Sequence, residues 1–387
     1  MTTTITDSIK YIGVDDTDLD LFESQYFIPN GISYNSYLIM DEKIAIMDTA
    51  DQRKCQEWLK NLRVQSRGRT PDYLIVLHLE PDHAGCIAAL VEQYPTLKIV
   101  ASNCALKMLP QFFDNVDFCA KTIPMKEGET LSLGQHTLQF FMAPMVHWPE
   151  VMVAYDKTDK VLFSADGFGK FGALSHDEEW DNEARRYYFN ICGKYGTSVQ
   201  SLLKKISPLK IDYICPLHGP ILHDNIYHYI SLYDTWSRYK PETEGIFIAY
   251  ASIHGGTATA AHRLKEILIA KGSTKVFIAD LSRDDMAWAV ESAFRMDRLV
   301  VASASYDADV FPPMHDFLHH LQLKLYQSRR VGIIENGSWA PSAARIMRSM
   351  LEQMKNIEIV EPIVTIYSRM KHSDIPHLEA LADALLS

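Results

Sequence analysis

The sequence predicts two successive α/β domains, the first a mixture of short strands and helices, the second a doubly wound parallel sheet. Three observations carry this. The 387 residues exceed the roughly 100–200 of one ordinary domain. Between Tyr37 and Val161 short β-like runs dominate, with helical patterns between and after them. Past the polar, Pro-containing link Arg238-Tyr-Lys-Pro-Glu-Thr-Glu the chain changes to a regular alternation of apolar strand and helix, which sets the expected boundary at 243/244.

In the first domain the expected strands are 37–40, 43–47, 73–77, 98–101, 136–142, and the pair 151–155 and 160–165. Lys157-Thr-Asp is a polar turn between the last two, so they read as a hairpin. Helical patterns run over 85–94 and, amphipathically, over 180–192. In the second domain the strand at 245–250 is followed by a helix at 257–270, 275–279 by 286–295, 298–302 by 314–325, and 330–334 by 342–354. These strands are apolar throughout and do not alternate, as in a parallel sheet covered on both faces. The first domain is thus 1–243 and the second 244–387.

Composition excludes several classes of function. Hydrophobic residues make up 47% and charged residues 22% of the chain, the balance of an ordinary globular protein, and no apolar run approaches the roughly 20 residues of a membrane span. The start, Met1-Thr-Thr-Thr-Ile-Thr-Asp, lacks a basic segment followed by an apolar one, so a cytoplasmic location is expected. A formal net charge of −11 opposes nucleic-acid binding, which needs clustered Lys and Arg. Cys55, Cys86, Cys104, Cys119, Cys192 and Cys215 are scattered without a Cys-x-x-Cys pair. They supply neither a rubredoxin-type iron site nor a zinc ribbon, and they read as buried, reduced thiols.

The most informative stretch is Leu77-His78-Leu79-Glu80-Pro81-Asp82-His83-Ala84-Gly85. It packs four metal-competent side chains into six positions directly after a strand, where a loop can aim them at one point. Further candidates stand at strand or hairpin ends: His147 in Met145-Val-His-Trp-Pro, Asp166 in Ser164-Ala-Asp-Gly, and His218 in Pro216-Leu-His-Gly-Pro. Each follows a short apolar run and precedes Gly or Pro. The carboxylates of Glu80, Asp82 and Asp166 bring enough negative charge to neutralise most of two divalent cations. The other histidines, His136 among them, read as packing or surface residues.

This set resembles the metal motif of the metallo-β-lactamase superfamily in its flavodiiron variant. The resemblance implies an αββα sandwich for the first domain. It also implies one iron on His78, Glu80 and His147, a second on Asp82, His83 and His218, and Asp166 bridging the two. Zinc hydrolases of that superfamily usually have His where Glu80 stands, and a hard carboxylate favours iron over zinc. By the same resemblance Tyr195, in Gly193-Lys-Tyr-Gly, is a hydrogen-bond donor near the irons.

The second domain opens on a strand and then Ser252-Ile-His254-Gly255-Gly256-Thr257. Small and hydroxylic residues there let backbone amides and a helix N-terminus approach a phosphate. The stretch resembles the phosphate loop of flavodoxin, with Gly256 in place of the usual Asn, and implies a flavodoxin-like domain that binds FMN at the switch point of its sheet. Ser303-Ala304-Ser305-Tyr306-Asp307 resembles the second flavin loop, with Ala304 where Pro is common. Asn336-Gly337-Ser338-Trp339 resembles the third, with Ser338 in a Gly position. The second domain holds no Gly-x-Gly-x-x-Gly fingerprint for NAD or FAD.

The flavodiiron resemblance spans nearly the whole chain. It implies an oxidoreductase in which FMN feeds two irons per chain that reduce dioxygen to water, nitric oxide to nitrous oxide, or both. A chain with a single flavodoxin unit takes its electrons from a separate carrier, by resemblance a rubredoxin. The same likeness implies a head-to-tail homodimer, or a dimer of such dimers, in which the FMN of one copy serves the irons of the other. Two other classes share part of the pattern: a dizinc hydrolase with an accessory flavodoxin domain, which Glu80 opposes, and a non-catalytic FMN electron carrier, which the full ligand set opposes.

Overall fold

The computed structural model describes residues 4–114, 116–118, 121–176 and 178–387. It divides into two compact units, Met1–Asp234 and Thr235–Ser387. The division lies within the helix Ile226–Ser237, ahead of the polar link, and Thr243 begins the first strand of the second unit.

Two sheets organise the first unit. One has six strands in the order Ile9–Tyr11, Tyr37–Ile39, Ala45–Met47, Tyr73–Val76, Lys98–Ser102 and Thr122–Met125. The first three pair antiparallel and the rest parallel. The other has five, Thr130–Ser132, Thr137–Met142, Met152–Asp156, Val161–Phe163 and Tyr213–Cys215, with only the last pair parallel. The expected hairpin is present, with Asp156 opposite Val161.

Central strands of both sheets, such as Tyr73–Val76 and Met152–Asp156, are buried at every residue. A strand buried on both faces needs a layer on each side, and the αββα sandwich provides it. Between the layers the rings of Tyr37 and Phe163 lie 5.5 Å apart. On the outside, helix Cys55–Gln65 buries Cys55, Trp58, Leu59 and Leu62, and helix Gly196–Ile206 buries Val199, Leu202, Leu203 and Ile206. Both are the i, i+3, i+4, i+7 stripe of a helix packed on one face.

The second unit is a parallel sheet in the spatial order Val276–Asp280, Thr243–Ala251, Met296–Tyr306, Arg330–Asn336 and then Glu358–Ile359 with Val364–Ile366. Taken in chain order this is the 2-1-3-4-5 arrangement of flavodoxin-like domains. Ile246, Ile248, Leu264, Leu268, Leu381 and Leu385 share one buried cluster against the sheet. The third strand is longer than its apolar run suggested. It continues to Tyr306, turns at Asp307 and Ala308, both in left-handed conformation, and pairs back through Asp309–Val310. Ser303 to Tyr306 are therefore strand residues, and the turn is confined to 307–308.

Among the described cysteines, Cys55, Cys86, Cys192 and Cys215 are buried thiols and Cys104 is half-buried, while Cys119 lies outside the described residues. No helix among the described residues is long and apolar enough to cross a membrane.

Candidate metal centre

All seven residues singled out from the sequence converge in the first unit. His78, Glu80, Asp82 and His83 follow the strand Tyr73–Val76, and His147 lies between Thr137–Met142 and Met152–Asp156. Asp166 follows Val161–Phe163, and His218 follows Tyr213–Cys215. Each thus leaves a sheet strand, and parallel or hairpin-paired strands that end on one side deliver their loops to one place.

The geometry divides the set in two. Ligand-capable atoms of His78, Glu80, His147 and Asp166 lie within 4.8 Å of one another, and so do those of Asp82, His83 and His218. Asp166 faces both groups with different oxygens. Its Oδ2 lies 3.3 Å from His78 Nε2 and 3.1 Å from His147 Nε2. Its Oδ1 lies 3.1 Å from His83 Nε2 and 3.8 Å from His218 Nε2. Glu80 Oε2 stands 3.2 and 3.0 Å from the Nε2 atoms of His78 and His147. Asp82 Oδ2 stands 3.5 and 3.2 Å from those of His83 and His218.

Glu80 Oε2 is hydrogen-bonded to both of its imidazoles, but the contacts of Asp82 and Asp166 are approaches of lone pairs more than hydrogen bonds. Both carboxylate oxygens of Asp82 and both of Asp166 are buried and accept no hydrogen bond, although nitrogens stand close by. Atoms that crowd together without pairing are aimed at a common point, and orphaned buried carboxylates cost several kcal/mol unless a cation meets them. The donor set, nitrogen and hard oxygen with no sulfur, suits iron. Burial works against ionising Asp166, yet the nearby His78 and His83 charges hold its carboxyl well below the ordinary range. Burial likewise opposes protonation of His147, but contacts with Asp166 and Glu80 push it up to about 9. A cation bound between these groups would take the place of the His147 proton.

A second ring of groups orients the imidazoles. His218 Nδ1 lies 2.7 Å from the Ser33 carbonyl, and its loop is pinned by Asn35 and Tyr37, which both donate to the Pro216 carbonyl, at 2.9 and 2.6 Å. His78 Nδ1 meets Glu150 Oε1 at 2.7 Å, and the Leu79 N–H donates to the same oxygen at 3.0 Å. Asp48 accepts from the N–H groups of Leu77 and His78 at 2.8 and 3.3 Å, and burial pushes its carboxyl up to about 8. Neither Glu150 nor Asp48 was expected from the sequence. Asp48 does share the pattern of Asp166, a carboxylate within three residues of the end of an apolar strand.

Tyr195 is half-buried where the helix Gly196–Ile206 begins, its N–H bonded to the Cys192 carbonyl at 2.8 Å. Tyr187 and Tyr34 pack on a candidate ligand, with centroids 5.6 and 6.2 Å from that of His218. The short hairpin Leu21–Phe22 with Tyr26–Phe27, also unexpected, adds Phe22 at 5.3 Å from the same imidazole.

In the second unit the turn after Thr243–Ala251 has the form of an anion cradle. Gly255 is left-handed at φ +83° and precedes the helix Gly256–Ala270, its N–H bonded to Ser252 Oγ at 3.1 Å. His254 is exposed, and Thr257 is buried with its hydroxyl unpartnered. A Cβ on Gly256 would collide with the Ser368 carbonyl and come within 2.8 Å of Asn336 Nδ2, so the departure from the usual Asn has a steric cause. Ser303 and Ala304 are buried in the third strand, and Ser305 Oγ accepts from Ser342 and Ala343 N–H groups at 2.8 and 3.2 Å. Tyr306 and Asp307 are exposed. Gly337 N–H bonds the Ile366 carbonyl at 3.1 Å and Ser338 is joined to Ser368, while Trp339 is 92% exposed.

Fold and site define a class of two-part protein: a metallo-β-lactamase-type sandwich with a candidate two-metal centre, followed by a flavodoxin-like domain. Known proteins agree. Residues 32–219 match the model of the ODP family beta lactamase. The chain is 30% identical over 373 residues to a nitric oxide reductase of Moorella thermoacetica, covering 94% of this chain and 92% of that protein. It superposes on rubredoxin oxygen:oxidoreductase of Desulfovibrio gigas with a TM-score of 0.93 at 26% identity, covering 100% and 98% of the two chains. The flavodiiron protein of Giardia intestinalis has the same fold, with a TM-score of 0.89 at 20% identity over 99% and 96%. The chain belongs to the flavodiiron proteins.

Proposed function

We propose that this chain is a flavodiiron oxidoreductase that reduces dioxygen to water, nitric oxide to nitrous oxide, or both. The observation that carries the reading is Asp166, a buried carboxylate whose two oxygens face two separate donor groups. In this reading His78, Glu80 and His147 hold one iron, Asp82, His83 and His218 the other, and Asp166 bridges them. Bound there, the irons supply a site where the gas is held and electrons are delivered, and FMN on the second domain supplies those electrons. The balances are four electrons and four protons per dioxygen, giving two waters, and two electrons and two protons per two nitric oxides, giving nitrous oxide and one water.

The chain's own groups do the rest. Three carboxylates offset the cationic charge, which favours a centre that cycles between ferrous and ferric states over redox-inert zinc. Glu150 and the Ser33 carbonyl fix which imidazole nitrogen of His78 and His218 faces inward. The apolar rings of Phe22 and Tyr187 limit water beside His218. For FMN, Ser252, His254, Gly255, Gly256 and Thr257 form the phosphate loop. Ser303 to Asp307 and Asn336 to Trp339 flank the ring, with Trp339 available to stack on it. Tyr195 is a donor near the irons. Electrons come from a separate protein, a rubredoxin by analogy with the D. gigas relative's name, in the cytoplasm. The working unit is a head-to-tail homodimer, or a dimer of such dimers.

The reading is tested by metal analysis and gas consumption. Purified protein is expected to contain about two irons per chain and to consume at least one of the gases with a reduced donor. Asp166→Ala is expected to lose iron from both positions. Active protein with stoichiometric zinc and no iron would overturn the assignment.

A further inference from the structure

Behind the ligand loop stand two cysteines that the metal centre does not use. Cys55 opens the helix Cys55–Gln65, and Cys86 is the residue before the helix Ile87–Gln93. Their side chains are neighbours and act on each other's ionisation. Cys86 Sγ also donates to the Ala50 carbonyl at 3.1 Å and lies 3.7 Å from that of Asp51, the segment that leads into Cys55.

Backbone packing enforces this neighbourhood. A Cβ on Gly85 would lie 2.5 Å from Gln52 N, 2.7 Å from the Pro81 carbonyl and 3.1 Å from that of Ala50. Only glycine lets the chain after His83 press so closely on the chain before Cys55. Thr49 closes the arrangement, since its N–H and hydroxyl both donate to the His83 carbonyl, at 2.8 and 2.6 Å.

The two thiols differ in access. Cys86 is fully buried, whereas Cys55, itself 7% exposed, lines a cavity of about 690 Å³ with Gln52, Gln56, Glu92 and Lys121. A reagent in that cavity meets Cys55 first. Contact with Cys86 draws the Cys55 thiol below its ordinary value. The same contact, together with burial, holds the Cys86 thiol above its own. An accessible thiol prone to ionise beside a buried, protonated one is the arrangement of an attacking and a resolving cysteine.

We infer that Cys55 and Cys86 form a reversible disulfide with hydrogen peroxide as the oxidant, Cys55 attacking and Cys86 resolving. The Cys55 thiolate attacks one peroxide oxygen; an S–O bond forms, the O–O bond breaks, and hydroxide leaves to become water. Cys86 sulfur then attacks the sulfenic sulfur of Cys55; the S–S bond forms, the S–O bond breaks, and a second water leaves with the Cys86 proton. The two sulfurs lose two electrons and the peroxide gains them. A dithiol reductant reverses the bond by exchange. Cys86 ends the segment that carries Glu80, Asp82 and His83, so the disulfide fastens that loop to the helix Cys55–Gln65. The inference stands on the thiols alone, whichever metal the loop holds.

The test treats the full chain with hydrogen peroxide, alkylates the remaining thiols with iodoacetamide under denaturing conditions, and maps the peptides by mass spectrometry. The expected result is a cross-linked Cys55–Cys86 peptide that disappears on treatment with dithiothreitol and forms before Cys192 or Cys215 is oxidised. In Cys86→Ser, dimedone is expected to trap a sulfenic acid on Cys55. In Cys55→Ser, Cys86 is expected to stay reduced and to take the alkylating label. Absence of the cross-link while Cys104 is oxidised would overturn the inference, as would dimedone labelling of Cys86 in Cys55→Ser at the rate seen for Cys55 in the reverse variant.

Discussion

Glu150 shows how a residue can govern a metal centre without facing it. It is almost wholly buried, and its Oε1 is shared between His78 Nδ1 at 2.7 Å and the Leu79 N–H at 3.0 Å. That leaves His78 Nε2 turned toward Asp166 and Glu80. Glu150→Gln keeps the size and removes the charge, so the fold is expected to survive while iron affinity falls about 10–100-fold. Iron content after equilibration with a graded series of chelators reads this directly, and unchanged retention would refute the role. His136 shows the contrary case. It forms a third donor cluster with Asp156 and Asp159, but local hydrogen bonds satisfy it: its ring lies 3.1 Å from Asp156 Oδ2, and the Asp159 N–H donates to the same oxygen at 2.9 Å. The Asp156 contact raises the His136 pKa above its ordinary value. Stability from this pair is therefore fully present below the unfolded value of about 6.5 and is lost as pH rises through the folded one. His136→Gln is expected to cost about 1–2 kcal/mol at acid pH and less in alkali, which paired denaturant unfolding curves at the two pH values would check. The seven candidate ligands were legible because each is a polar residue set at the end of an apolar run. Glu150 was not, because sequence does not tell a carboxylate that meets a metal from one that meets the back of an imidazole.

At the scale of elements, the flavodoxin-like sheet could be read in the sequence because its strands are apolar along their whole length and each is followed by a helix of ordinary period. Two features escaped. The strand Met296–Tyr306 outruns its apolar core, since Ser303-Ala-Ser-Tyr reads as a polar loop until the back-pairing of Asp309–Val310 is seen. The hairpin Leu21–Phe27 has strands of two residues, too short for any period to show. The phosphate turn was legible in kind, through Ser252, Gly255 and Thr257, while the reason for Gly256 required the chain at Ser368. That chain crosses so close that any side chain at 256 meets the Ser368 carbonyl and Asn336. Gly256→Asn, which restores the residue usual in flavodoxins, is thus expected to harm the domain. Overpacking of this kind costs about 1–3 kcal/mol, and FMN affinity should fall by about tenfold or more as the loop shifts off the helix start. Flavin absorbance per chain and urea unfolding of the flavin domain measure the two effects. Full FMN occupancy in the variant would show that the turn does not contact the phosphate.

For the whole molecule, the question is how electrons pass between two sets of residues that belong to different folding units. The candidate metal ligands all lie in Met1–Asp234 and the candidate flavin loops all lie in Thr235–Ser387. Each unit has its own buried core, so each set can be disabled without unfolding the other. This independence makes the proposed head-to-tail dimer testable, because in it a two-fold partner would offer the flavin of one copy to the metal centre of the other. An Asp166→Ala chain is expected to bind FMN without holding a working iron pair. A Thr257→Asp chain, with a carboxylate set beside the phosphate at the helix start, is expected to hold iron without FMN. Each homodimer should then be inactive. Co-expressed with different tags and purified through both, the mixed dimer has one intact flavin and one intact metal centre, on opposite chains. If electrons cross between copies, it recovers about half the activity of the native dimer, one working pair of the two. That activity should not depend on protein concentration once the mixed dimer is isolated. If electrons stay within a chain, neither copy has both parts, and the mixed dimer remains as inactive as its parents even though FMN and iron are both measured in it.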